Sequence, residues 1–245
     1  MTDDTPRPDR RTLLAGMALL ATAKAWPARA EGSPAMKNVV LLGDSSFDNK
    51  SYVGSGPDVI DQLKGDLPSG WTATLAARDG STTADIKSQL KAMPQDATHL
   101  VVSVGGNDAL QHEKLLEEWA WSVAGVLDKL AKIRAEFAKD YRAMLDGVLA
   151  RKLPAAVCTI YEARYEDLET RKIANTGLTI FNDIITREAF ARGVPLIDLR
   201  LIFDDDADYA NPVEPSVKGG AKIAKVIATL VTTHDFTRRR SEVYV

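Results

Sequence analysis

Three short segments place small polar residues where an apolar run gives way to a loop. They are Gly43-Asp44-Ser45-Ser46, Asp79-Gly80-Ser81-Thr82 and Gly105-Gly106-Asn107-Asp108. Each follows a stretch of β-prone residues, so each is expected at the end of a strand. A serine hydroxyl just beyond a strand end is exposed for nucleophilic attack. A glycine lets a backbone N–H approach a ligand, and an asparagine amide is a neutral donor for a developing oxyanion. Singly these are ordinary turn residues. Together Ser45, Gly80 and Asn107 supply a nucleophile and the donors that acyl transfer requires.

The elements that must hold them in register alternate along the chain. Short apolar runs at 38–42, 72–76, 99–104, 155–160 and 195–199 read as five strands, and the longer amphipathic stretches between them read as helices. This order is that of an α/β domain, a five-stranded parallel sheet with helices on both faces. In such sheets ligands bind at the carboxyl ends of the strands, which is where the three polar segments fall. Between Glu113 and Lys152 the residues Leu115, Trp119, Val123, Val126, Leu130, Ile133 and Phe137 recur at three- and four-residue steps. They predict one long helix, or two broken at Gly125 or Gly147, with its aromatics in the core. A last helix is expected over 216–232, followed by a mobile tail from about 234.

The chain of 245 residues is 45% apolar, long enough for one full core. A single domain over 31–245 is expected. The first thirty residues run from a polar start through Arg10-Arg11 into an apolar stretch from Leu13 to Ala23 and then Ala28-Arg29-Ala30. That order reads as a signal peptide of twin-arginine type over 1–30, hence export to the periplasm or beyond the cell. The apolar stretch is well short of the roughly 20 residues that span a bilayer, so no stable membrane insertion is expected after cleavage. Without this segment 26 basic residues face 31 acidic ones. Such a surface offers no counterion-release drive toward nucleic acid. Cys158 is the single cysteine, which excludes an intramolecular disulfide, and it reads as a buried small hydrophobe. No phosphate loop or dinucleotide glycine fingerprint follows the first strand, and the acidic run at Asp204-Asp205-Asp206 lacks the spacing of a calcium loop. Neither a cofactor nor a metal is expected.

In the order and spacing of these blocks, over almost the whole chain after residue 30, the sequence resembles the SGNH/GDSL hydrolases, a family of esterases and lipases. The resemblance implies a three-layer flavodoxin-like sandwich. It also implies Ser45 as nucleophile, with the Ser45 N–H, the Gly80 N–H and the Asn107 amide as oxyanion hole, and a small-molecule or carbohydrate ester as substrate. The family's last block is an aspartate, two residues and a histidine before the final helix. Here that place reads Asn211-Pro212-Val213-Glu214. The chain's histidines are His99, His112 and His234. His99 starts a strand on the far edge of the sheet and His234 ends the last helix, so His112 is the one histidine on the correct edge. A base is therefore sought at Glu214 first and His112 second. Glu214 serves only if burial raises its pKa; otherwise it reads as a carboxylate capping the last helix. Two functions follow: an exported serine esterase with an atypical base, or a catalytically impaired relative that binds an ester or carbohydrate.

Overall fold

The computed structural model describes residues 36–119 and 121–245. The expected signal peptide lies outside the described residues. Residues Pro34–Val245 form one unit, beginning with β1 (Lys37–Gly43), α1 (Val59–Asp66), β2 (Trp71–Leu75), α2 (Ile86–Ala92), β3 (His99–Ser103) and α3 (Gly106–Leu110). The chain continues with α4 (Val123–Leu149), β4 (Ala155–Cys158), α5 (Leu168–Arg192), β5 (Leu196–Ile197) and α6 (Leu199–Ile202). It closes with β6 (Tyr209–Asn211), β7 (Glu214–Pro215), α7 (Val217–Thr233) and β8 (Val243–Tyr244).

The main sheet has the order β2-β1-β3-β4-β5-β8, and every pairing in it is parallel. Strands β1, β3 and β4 are buried on both faces, which explains their unbroken apolar sequences. Alternate residues feed two cores. Val39, Leu41 and Val101 pack toward α1 and α7, while Val40, Leu42 and Val102 pack toward α4 and α5. The result is the three-layer α/β sandwich, with helices on both faces. Strand β2 lies at the edge of the sheet and has one buried residue, Ala73.

Two expectations are corrected. The segment from about 234, expected as a mobile tail, carries a sixth strand. Leu196 N–H donates to Glu242 O and Asp198 N–H donates to Tyr244 O, both at 2.9 Å, so β8 covers an otherwise open edge of β5. His234 and Phe236 pack together behind it. The second correction concerns α4. The chain breaks at Ser122, whose hydroxyl caps the helix by accepting from Gly125 N–H, and both Gly125 and Gly147 lie inside the helix. Only residues from Phe137 onward are buried, whereas Trp119 and Val123 are exposed. With 27 residues α4 runs about 40 Å, more than twice the length of a five-residue strand, so its first half cannot lie on the sheet. The apolar periodicity there serves a different surface. Helix α5 repeats the arrangement, its buried residues beginning at Phe181.

Candidate active site

The turn after β1 is forced by a close approach. Gly43 has φ +139°, and a Cβ there would lie 1.8 Å from Ser103 O, so only glycine fits. Its neighbour Asp44 donates its N–H to that same Ser103 carbonyl at 3.1 Å. The chain then winds into a single turn. Phe47 and Asp48 N–H donate to Asp44 O, and Ser46 N–H donates to the Asp44 carboxylate at 3.0 Å. Ser45 therefore stands at the carboxyl end of β1, with its hydroxyl outside the bonds that hold the turn. Burial pushes the Asp44 carboxyl up to about 6, against the Ser46 N–H, which favours the ionised form.

The other two blocks are stitched to this turn. Gln89, buried on α2, accepts from Gly43 N–H at 2.8 Å and donates its amide to Gly43 O and to Ser81 Oγ. One side chain thus satisfies both backbone groups of Gly43 where water cannot. Gly80, at φ +77°, makes the turn closed by Ser81 N–H to Arg78 O. Asn107 donates one amide hydrogen to Ser81 O at 3.0 Å, which leaves the second for the cleft. Asp108 accepts from Thr83 N–H and from its hydroxyl, the latter at 2.6 Å.

Glu214 arrives from the opposite side on the β6–β7 hairpin. Asn211 turns the chain through its side-chain oxygen, which accepts from Val213 N–H and Glu214 N–H, both at 3.0 Å. It orients the glutamate by geometry instead of charge. The hairpin is held further by Tyr161 OH donating to Val213 O, Arg164 N–H donating to Pro212 O, and Asn49 donating to Pro215 O. The cap of α7 is Ser216, which accepts from Lys218 and Gly219 N–H, so the capping role considered for Glu214 belongs two residues on. Glu214 is 8% exposed, and burial pushes its carboxyl up to about 7. Asp79 and Asp44 push the same way, and the neighbouring Ser45 hydroxyl pulls it down. Glu214 Oε2 is buried without a partner. A lone buried acceptor beside a serine is a place where a proton or a ligand group is needed.

Ser45, Asn107, Glu214 and His112 line one cavity of about 150 Å³. Gly80 is not on its wall but adjoins Ser81, to which Asn107 is bonded. His112 lies on the helical side, near the Phe181 ring at 6.4 Å. His99 is packed between Trp71 and Phe236 at the start of β3. His234 sits beside Glu242 and Tyr244 at the end of α7. The acidic run is ion-paired. Lys222 reaches Asp204 and the fully buried Asp208, and Lys218 reaches Asp205, so these carboxylates tie the hairpin's approach to α7. Gln89 and Asn49 position the site but carry no sequence signal beyond their type, because their partners are 46 and 166 residues away.

Residues 41–221 match the family model described as GDSL-like Lipase/Acylhydrolase family. Solved structures with the same fold include an extracellular lipase from Streptomyces rimosus, at 19% identity and a TM-score of 0.52, covering 81% of this chain and all of that one. A phospholipase A1 from Streptomyces albidoflavus is 17% identical with a TM-score of 0.52, covering 82% of this chain and 100% of the other. A carbohydrate acetylesterase from Sinorhizobium meliloti is 13% identical with a TM-score of 0.57, covering 80% and 98%. No curated protein matches the chain.

Proposed function

Because the chain belongs to the GDSL-like lipase/acylhydrolase family of hydrolases, we propose that it is a serine esterase in which Glu214 replaces histidine as general base. The observation that carries this reading is the buried Glu214 carboxylate beside Ser45, with a pKa raised by burial to about 7. An unperturbed carboxylate is too weak a base at neutral pH, and one titrating near 7 is matched to the task.

In the proposed cycle Ser45 Oγ attacks the ester carbonyl carbon as its proton passes to Glu214. The carbonyl π pair becomes an oxyanion, held by Ser45 N–H, Gly80 N–H and the free amide hydrogen of Asn107. Collapse breaks the bond to the alkoxy oxygen, which leaves as an alcohol with the proton from Glu214. Water then gives a proton to Glu214 and attacks the acyl-serine. The second collapse releases the carboxylic acid and returns the proton to Ser45.

A fluorophosphonate tests the nucleophile directly. Incubation is expected to add one phosphonyl group to the Ser45 peptide by mass spectrometry, faster as pH rises through about 7. Labelling elsewhere, or none, sinks the mechanism.

Export belongs to the same reading. It rests on the Arg10-Arg11 segment and the Ala28-Arg29-Ala30 site, and among the described residues no helix is long and apolar enough to cross a membrane. The secreted product is expected to begin at Glu31, and an N-terminal sequence starting at Met1 would refute the signal assignment.

A further inference from the structure

On α2 the buried amide of Gln89 sits between Ile86 and Leu90, which both pack into the apolar core. An amide there is costly unless its hydrogen-bonding groups are used. Gly43 forces its orientation, because an N–H can only donate and a carbonyl only accept. Gln89 Oε1 takes the Gly43 N–H at 2.8 Å, and Nε2 gives one hydrogen to Gly43 O at 2.8 Å. The other Nε2 hydrogen goes to Ser81 Oγ at 3.1 Å. Gly43 accounts for two of these bonds; the third reaches a different turn. Ser81 is the hub of that turn. Its N–H donates to Arg78 O and closes the turn that carries Gly80, while its carbonyl accepts from the Asn107 amide at 3.0 Å. One chain of bonds thus runs from the backbone two residues before Ser45, through Gln89 and Ser81, to the donors that the turns after β2 and β3 supply.

We propose that Gln89 is the positioning residue of the oxyanion hole: acting through Ser81, it sets the Gly80 N–H and the Asn107 amide at their places relative to Ser45. The effect on turnover rests on the serine-esterase reading, but the positioning is testable without it. Two substitutions leave Ser45, Gly80 and Asn107 chemically unchanged. Ser81→Ala removes only the hydroxyl of the hub and keeps both bonds between Gln89 and Gly43. Gln89→Met removes all three bonds and is expected to lower Tm, because the Gly43 N–H loses its partner inside the protein. In both variants Asp108 still accepts from the Thr83 N–H and hydroxyl, so the turn stays attached to α3.

The full chain, both variants and the double variant are assayed on 4-nitrophenyl octanoate across pH. Ser81→Ala is expected to lower kcat by about tenfold and Gln89→Met by about 10²-fold, with KM within about twofold, since displaced donors weaken the hold on the oxyanion and not on the ester. The double variant should be no slower than Gln89→Met alone, because both substitutions act along one path. The pH midpoint should stay near about 7, as the bonds of both residues run to Gly43, Arg78 and Asn107 and not to the Glu214 hairpin. A Ser81→Ala protein within about twofold of the parent in kcat, losses that multiply in the double variant, a change in KM alone or a shifted midpoint overturns the proposal. Where Gln89→Met does not fold, Ser81→Ala is read alone. Should the parent cleave no ester, the esterase reading fails and the NMR signals of the Asn107 side-chain amide, assigned with Asn107→Asp, decide the positioning. Signals that both variants move uphold it; signals that either leaves in place overturn it.

Discussion

Ser45→Ala is expected to lower ester turnover by about 10⁴-fold or more, the scale on which removal of an activated serine acts in acyl transfer. The fold is expected to be indifferent. The bonds that shape the turn run from Phe47, Asp48 and Ser46 N–H to Asp44, and from Gly43 to Gln89. None uses the Ser45 hydroxyl, so its removal should change stability by no more than about 0.5 kcal/mol. Initial rates on an activated octanoyl ester, read beside a thermal melt, separate the two. Equal turnover in both proteins would take Ser45 out of the mechanism, and a large fall in Tm would make lost activity a folding effect.

Glu214→Gln is expected to act in opposite directions on activity and stability. A glutamine keeps the size but accepts no proton, so kcat/KM should fall by about 10²- to 10⁴-fold. In the parent, kcat/KM should rise with pH through about 7 as the base ionises. For stability the sign is reversed. The folded state holds the Glu214 proton more tightly than the unfolded chain, whose carboxyl titrates near its ordinary 4.5. This group therefore favours folding fully at low pH, and its contribution is lost as pH rises from about 4.5 through about 7. Glutamine has no such loss. The variant should be more stable than the parent at pH 8, on the order of 2 kcal/mol, and the gap should close at low pH. Asp44, also raised, declines in both proteins and cancels. Melts across pH test this; a variant less stable than its parent at pH 8 would mean that the buried carboxylate is satisfied by contacts that stabilise its charge.

The central strands and the turns that end them were legible because their signals are local. Val39 to Leu42 are apolar without interruption because both faces of β1 are covered. Gly43 and Gly80 mark backbone that other residues adopt only with strain. Strand β8 was not legible. Two residues after an arginine run carry no period, and what makes them a strand is the open edge of β5. Periodicity misled at and before the start of α4, where Trp119 and Val123 keep helical spacing but face solvent. A repeat of 3.6 shows that a helix has an apolar side and is silent on what covers it. The Glu214 environment was equally hidden, because its desolvation comes from packing between segments some 170 residues apart.

The tip of the hairpin that carries Glu214 is held through its main chain. Val213 and Glu214 N–H are taken by Asn211, and the carbonyls of Pro212, Val213 and Pro215 by Arg164, Tyr161 and Asn49. No member of this set depends on which side chain stands at position 214. The hairpin behaves as a socket, and its occupant can be exchanged without rebuilding the mount. Such decoupling means that a change of side chain at position 214 leaves the backbone mount as it was.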